Sequence, residues 1–269
     1  VAFPLRAWLN PARPEFPEVV TDPRERKAIT VELVIVFAIT LGLSGASSLL
    51  SYLDGLLQQT ALADQKVALN VTTTDVQVID FLRQLLGVVR LVGWGALGAY
   101  LLWRTGIALS RIGLARPDKR DWLGGAGLAA LIGIPGLALY LIAWQLGLNR
   151  AVLPAVMDET WWRPIALTLS ATGNAVAEEL LVVGLLLTRL RQLGFGENQS
   201  LLVSALLRGS YHFYQGLGGF LGNVVMGLIF GRVWQRTTRL WPLVIAHALL
   251  DIVAFVGYSL LRGASWLPA

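Results

Sequence analysis

Two histidines are all that 269 residues contain, and both sit in apolar segments. His212 lies in LLVSALLRGSYHFYQG and His247 in LWPLVIAHALLD. A third apolar segment, NAVAEELLVVGLLL, carries the adjacent acids Glu178 and Glu179. Ionisable side chains in membrane-length apolar segments are costly in lipid and are expected to face a partner or a cavity. Helical spacing groups them. His247 and Asp251 are four residues apart and share a face, where they can hydrogen-bond; Arg208 and His212 are spaced likewise. Glu178 and Glu179 are separated by about 100° around a helix axis, so one is expected to serve a site and the other to need its own cation. A carboxylate and an imidazole in a water-poor cavity can hold one water between them and take its proton. A second imidazole, oriented by Asp251, could donate to a developing oxyanion. That set suits amide hydrolysis. Cysteine is absent, which removes thiolate nucleophiles, disulfides and Cys-type zinc sites. No Ser/His/Asp set is evident.

These residues need helices that bring them together, and composition says what kind. The chain is 55% hydrophobic and 14% charged, with mean hydropathy +0.61; a soluble domain carries about 25% charged residues. Several apolar stretches reach the roughly 20 residues that a helix needs to cross a bilayer, and none alternates like a barrel strand. The expected fold is an all-α, polytopic transmembrane helix bundle of about seven spans. They fall near residues 31–52, 83–103, 123–146, 164–188, 200–217, 219–234 and 241–261, the third interrupted at Gly133, Pro135 and Gly136. Residues 1–29 read as a cytoplasmic tail without a signal-peptide pattern, 30–163 as N-terminal transmembrane helices, 164–262 as the bundle carrying the site, and 263–269 as a C-terminal tail.

Net charge is +5. The basic residues gather in the tail and in 104–122, 189–199 and 232–240, including Arg104, Arg116, Arg189, Arg191 and Arg239. The positive-inside rule then puts the N-terminus in the cytoplasm and the C-terminus outside, and the charge needs no nucleic acid to explain it. Trp103, Trp122, Trp234 and Trp241 fall at the expected inner boundary, and Trp144, Trp161, Trp162 and Trp266 at the outer one. Glu178, His212, His247 and Asp251 come to similar depths in the cytoplasmic half. Gly218, Gly222, Gly227 and Gly231 are spaced for close helix packing. No internal repeat is visible, which weakens a third reading, a proton-coupled transporter using the same groups as a relay.

The C-terminal third resembles the CPBP family of intramembrane proteases, the CaaX proteases and bacteriocin-processing enzymes also called the Abi family. The family pattern is EExxxR, then FxxxH, then HxxxN or HxxxD, on separate helices. Here the motifs read EELLVV from Glu178 to Val183, RGSYH from Arg208 to His212, and HALLD from His247 to Asp251. Residues 1–160 add only general hydropathy to the match. The resemblance implies an intramembrane endopeptidase that hydrolyses peptide bonds of membrane-associated substrates. Glu178 and His212 would activate water; His247 and Asp251 would stabilise the oxyanion or orient substrate; Glu179 and Arg208 would support them. It implies no cofactor, with zinc held by Glu178, His212 and His247 as the alternative. The implied partners are membrane lipid, a peptide or membrane-protein substrate and a partner in a membrane complex; the implied location is a bacterial plasma membrane. Two departures stand out: the motif arginine is Val183 and the motif phenylalanine is Arg208. An unpaired buried charge is expensive, so the positive charge is expected to have moved from the fourth span to the fifth, pairing Arg208 with Glu179. The same departures leave open a catalytically inactive scaffold or accessory subunit of the same fold.

Overall fold

The structure, a computed structural model, describes residues 17–153 and 160–261. Asp22 starts the first helix, α1 (Pro23–Ile39), by accepting from the N–H groups of Arg24 and Glu25, with Pro23 at the first helical position. The helix therefore begins inside the expected tail; residues 1–16 lie outside the described residues. Thr40 breaks the helical dihedrals (φ −126°, ψ −121°), and α2 (Leu41–Leu57) continues at a bend of 48°. The first expected span is thus a bent pair.

The long helices α3 (Gln77–Arg104) and α4 (Lys119–Gln145) follow. A reciprocal Asp118–Asp121 capping box opens α4. The interruption expected at Gly133, Pro135 and Gly136 does not occur, because α4 runs through Pro135 unbroken. The strands β1 (Lys66–Ala68) and β2 (Ala151–Leu153) pair in parallel and tie two connecting loops together. Next come α5 (Arg163–Gln192), which contains a π turn at Glu179–Leu185, then α6 (Glu197–Ser210), α7 (Leu217–Thr237) and α8 (Trp241–Gly257).

Four of these helices, α3, α4, α5 and α7, are long and apolar enough to cross a membrane, and the bent α1–α2 pair makes five. The other two expected spans are shorter. α6 has 14 residues and stops before His212, and α8 is a short apolar helix. The protein is an all-α integral membrane bundle.

Burial places α5 at its centre. The apolar window of α5 is 83% buried, against 17% in α3 and 6% in α4, which turn their sides outward. α5 packs on α3 and α8, α8 on α4, and α6 along α7. Glycines permit the last contact: a Cβ on Gly227 would lie 2.9 Å from the Ala205 Cα, and one on Gly231 would lie 2.5 Å from Leu201 Cδ1.

Buried ion pairs join helices that sequence spacing does not connect. Arg189, expected in a basic loop, is buried in α5 and holds Glu32 of α1 at 2.7 Å. Arg163 meets Asp80 of α3 at 3.3 Å. Trp103, Trp122 and Trp161 are exposed as a membrane belt requires. Trp234 and Trp162 are buried instead: the Trp234 indole donates to the Ile112 carbonyl, and Trp162 packs on Phe81. Trp266 and the expected C-terminal tail lie outside the described residues.

Candidate active site

Because α5 runs through the centre, its two acids are buried, Glu178 at 4% exposure and Glu179 at 0%. Both turn to the same cluster. Arg208 of α6 donates through Nη2 to Glu179 Oε1 at 2.7 Å and through Nη1 to Glu178 Oε2 at 3.5 Å. The expectation that only one acid would face the site is corrected by the guanidinium, whose rigid fork of donors reaches two carboxylates at once. The expected pairing of Arg208 with Glu179 is present, and the Phe230 ring lies 5.6 Å from the guanidinium carbon. The π turn begins at Glu179, a feature that recurs at functional sites within helices.

His247 is held differently from the expected i,i+4 hydrogen bond. Its Nδ1 meets Glu179 Oε1 at 2.8 Å, while its Nε2 lies 3.6 Å from Asp251 Oδ2, too long for a hydrogen bond. Asp251 Oδ2 accepts instead from Asn174 Nδ2 at 3.1 Å. Asn174 sits four residues before Glu178, on the same face of α5.

His212 is not on a helix face. It lies in the turn after α6 (φ −109°, ψ 4°), half-buried, with the Tyr211 and Tyr214 rings 4.8 and 6.2 Å away. Its Nδ1 donates to the Arg208 carbonyl at 2.9 Å. A carbonyl only accepts, so Nδ1 carries a proton, and when the ring is neutral Nε2 is a bare acceptor. No direct hydrogen bond joins Glu178 to His212 among the described residues; Tyr211 lies between them, its hydroxyl on Glu178 and its ring 4.8 Å from the imidazole.

Glu178, Glu179, Arg208 and His247 therefore form one buried network, with the partly buried Asp251 beside His247 and His212 joined through the backbone of Arg208. Two members escape sequence reasoning. Asn174 had a signal, a polar residue one turn before a buried acid in an apolar helix. Tyr211 had none, because it lies in the turn where helical spacing fails; its hydroxyl donates to Glu178 Oε2 at 2.6 Å. Asn223 bonds the Gly219 carbonyl of its own helix, consistent with a packing role. Tyr211→Phe deletes one buried bond to a charged acceptor and is expected to cost about 1.5–3 kcal/mol, read from thermal unfolding in detergent.

Each of the alternative zinc ligands Glu178, His212 and His247 is already held by a protein group. Glu178, His212 and His247 do not compose a metal-holding group among the described residues. Both nitrogens of His247 face carboxylates, and a guanidinium already occupies the space between the acids.

The buried cluster of acids, histidines and an arginine lies in the C-terminal part of the chain. The family model described as type II CAAX prenyl endopeptidase Rce1-like matches residues 160–253, a stretch that holds all six expected site residues. The resemblance to the CPBP family is borne out for this C-terminal region of the chain. No curated protein and no solved structure matches.

Proposed function

We propose that the protein is an intramembrane endopeptidase in which Glu178 and His212 activate a water against the scissile carbonyl. One observation carries this reading. Glu178 Oε1 and His212 Nε2 take no hydrogen bond from the described residues, yet neither is sealed away, while Glu178 Oε2 and His212 Nδ1 are both engaged. Tyr211 links the two, its hydroxyl on Glu178 and its ring 4.8 Å from that of His212, so both open acceptors belong to one cluster and suit a bound water. Its oxygen bonds to the carbonyl carbon as its proton passes to Glu178 or His212; the same proton then goes to the leaving amine as the C–N bond breaks. The loose contact of His247 Nε2 with Asp251 can exchange for a hydrogen bond to the developing oxyanion. Substrates are peptides or proteins that reach this depth from the lipid. The basic loops favour a cytoplasmic N-terminus, and a bacterial plasma membrane is the proposed setting.

The second reading, a silent scaffold of the same fold, is favoured by a different observation: Arg208 and Tyr211 already engage an oxygen of each acid. Cleavage assays in liposomes separate the two. The substrates are a farnesylated CAAX peptide, its unprenylated counterpart and an apolar helical reporter. The endopeptidase cleaves at least one of them, retains activity after treatment with EDTA or phenanthroline, and loses about 10²- to 10⁴-fold in kcat on His212→Gln. Intact wild-type protein that cleaves none of the three supports the scaffold, and chelator-sensitive cleavage overturns the metal-free mechanism.

A further inference from the structure

His212 lies in a turn, so something outside its own helix has to hold it. The segment after α4 supplies this, outside the region that matches the family. Asn149 pairs with Gly216 as an antiparallel bridge, flanked by Leu217 N–H to the Leu148 carbonyl at 3.0 Å and Arg150 N–H to the Gln215 carbonyl at 2.8 Å. The fully buried Asn149 side chain accepts through Oδ1 from the N–H groups of Gly218 and Gly219, at 2.8 and 3.3 Å, capping the first turn of α7. Arg150 is also buried. It donates to the Tyr214 carbonyl at 3.4 Å, to the Ser51 hydroxyl and carbonyl at 2.9 and 2.7 Å, and to Gln65 Oε1 at 3.0 Å.

The other side of the turn rests on α2. Ser48 Oγ accepts from the Tyr214 N–H at 2.7 Å, and Tyr52 stacks on Phe213. Two glycines make room. Gly216 has φ +117°, a region that side chains avoid, and a Cβ there would strike the Leu148 carbonyl. A Cβ on Gly55 would strike the Arg150 guanidinium.

A buried arginine with no carboxylate partner among the described residues gives its whole fork to neutral acceptors, and so fixes geometry more than charge. We infer that Asn149 and Arg150, with Ser48 and Ser51 of α2, are positioning residues for His212. They hold its turn so that Nδ1 stays on the Arg208 carbonyl and Nε2 stays open. The purpose of the clamp rests on the reading of His212 as a base, but its existence can be measured without any substrate.

The chain has two histidines, so nitrogen-15 histidine labelling of the full protein in lipid nanodiscs gives two ring spectra, assigned with His247→Gln. In the wild type the His212 ring is expected as the single tautomer with Nδ1 protonated. Arg150→Ala and Asn149→Leu convert it to a mixture of tautomers while the His247 signals stay in place. Asn149→Asp preserves it, because the Nδ2 that is lost has no hydrogen-bond partner among the described residues while the Oδ1 acceptor remains. Where Arg150→Ala or Asn149→Leu disturbs His247, marking a failed fold, the milder Ser48→Ala/Ser51→Ala pair decides. In cleavage assays the clamp variants lower kcat by about 10²-fold with little change in KM. An unaltered His212 tautomer in folded clamp variants overturns the inference. A wild type with the expected tautomer but no cleavage overturns the protease reading instead, leaving the clamp standing.

Discussion

Glu178→Gln is expected to lower kcat by about 10²- to 10⁴-fold while leaving the helix bundle assembled. The substitution keeps shape and packing. Its amide oxygen can still accept from the Tyr211 hydroxyl, which holds Oε2 at 2.6 Å in the native site. Arg208 keeps its shorter partner, Glu179 at 2.7 Å, so the buried guanidinium is not orphaned. What disappears is the basicity of Oε1, the oxygen that no described residue engages. Glu179→Gln is the contrasting case. Glu179 Oε1 serves both Arg208 and His247, so neutralising it strips two buried cationic or polar groups of their acceptor charge, and the main loss is stability. The two variants should therefore separate: the first folded and inactive, the second visibly less stable in thermal unfolding. A Glu178→Gln protein that cleaves within a few-fold of the wild-type rate would remove Glu178 from the chemistry.

The membrane bundle and most members of the buried cluster were legible in the sequence for one reason. Acids and histidines inside long apolar runs have no cheap explanation, so Glu178, His212, His247 and Asp251 announce themselves. Their pairings were not legible. Spacing along a helix shows which residues share a face, and it proposed His247 with Asp251; the shorter contact runs across helices to Glu179, which depends on how α8 lies against α5. The course of the chain at His212 was hidden for a similar reason. The apolar run continues past Ser210, yet α6 ends there, because Leu148, Asn149 and Arg150 hydrogen-bond the turn and Gly216 takes a backbone conformation foreign to helices. The break at Thr40 likewise splits an apolar run that reads as one span. Arg189 looked like a topology signal in a loop, and Glu32, its partner, lies at a sequence distance that no local pattern bridges.

Moving the cluster's positive charge back to the position it holds in the family motif tests whether Arg208 replaces that arginine. Arg208→Phe alone leaves Glu178 and Glu179 buried with His247 and Tyr211 as their remaining side-chain partners among the described residues. Removing one partner of a buried ion pair costs about 3–5 kcal/mol, and here two acids lose the same partner. Val183 is itself buried and lies four residues beyond Glu179 on α5, so an arginine there is within reach of the acids of its own helix. Val183→Arg alone brings a second guanidinium into a filled space and is expected to destabilise. In the Arg208→Phe background it restores the missing charge, while the new phenylalanine takes the place of the guanidinium beside the Phe230 ring. The double variant should therefore be more stable than either single one, with a coupling energy at the upper end of the roughly 0.5–3 kcal/mol seen between contacting residues, read from a double-mutant cycle of unfolding in detergent. Additive losses would mean that the two positions do not share a role, and that Arg208 binds these acids as a feature of this chain rather than as the relocated motif charge. Rescue of stability together with cleavage would show that the network needs one cation between its acids and tolerates either helix as the source.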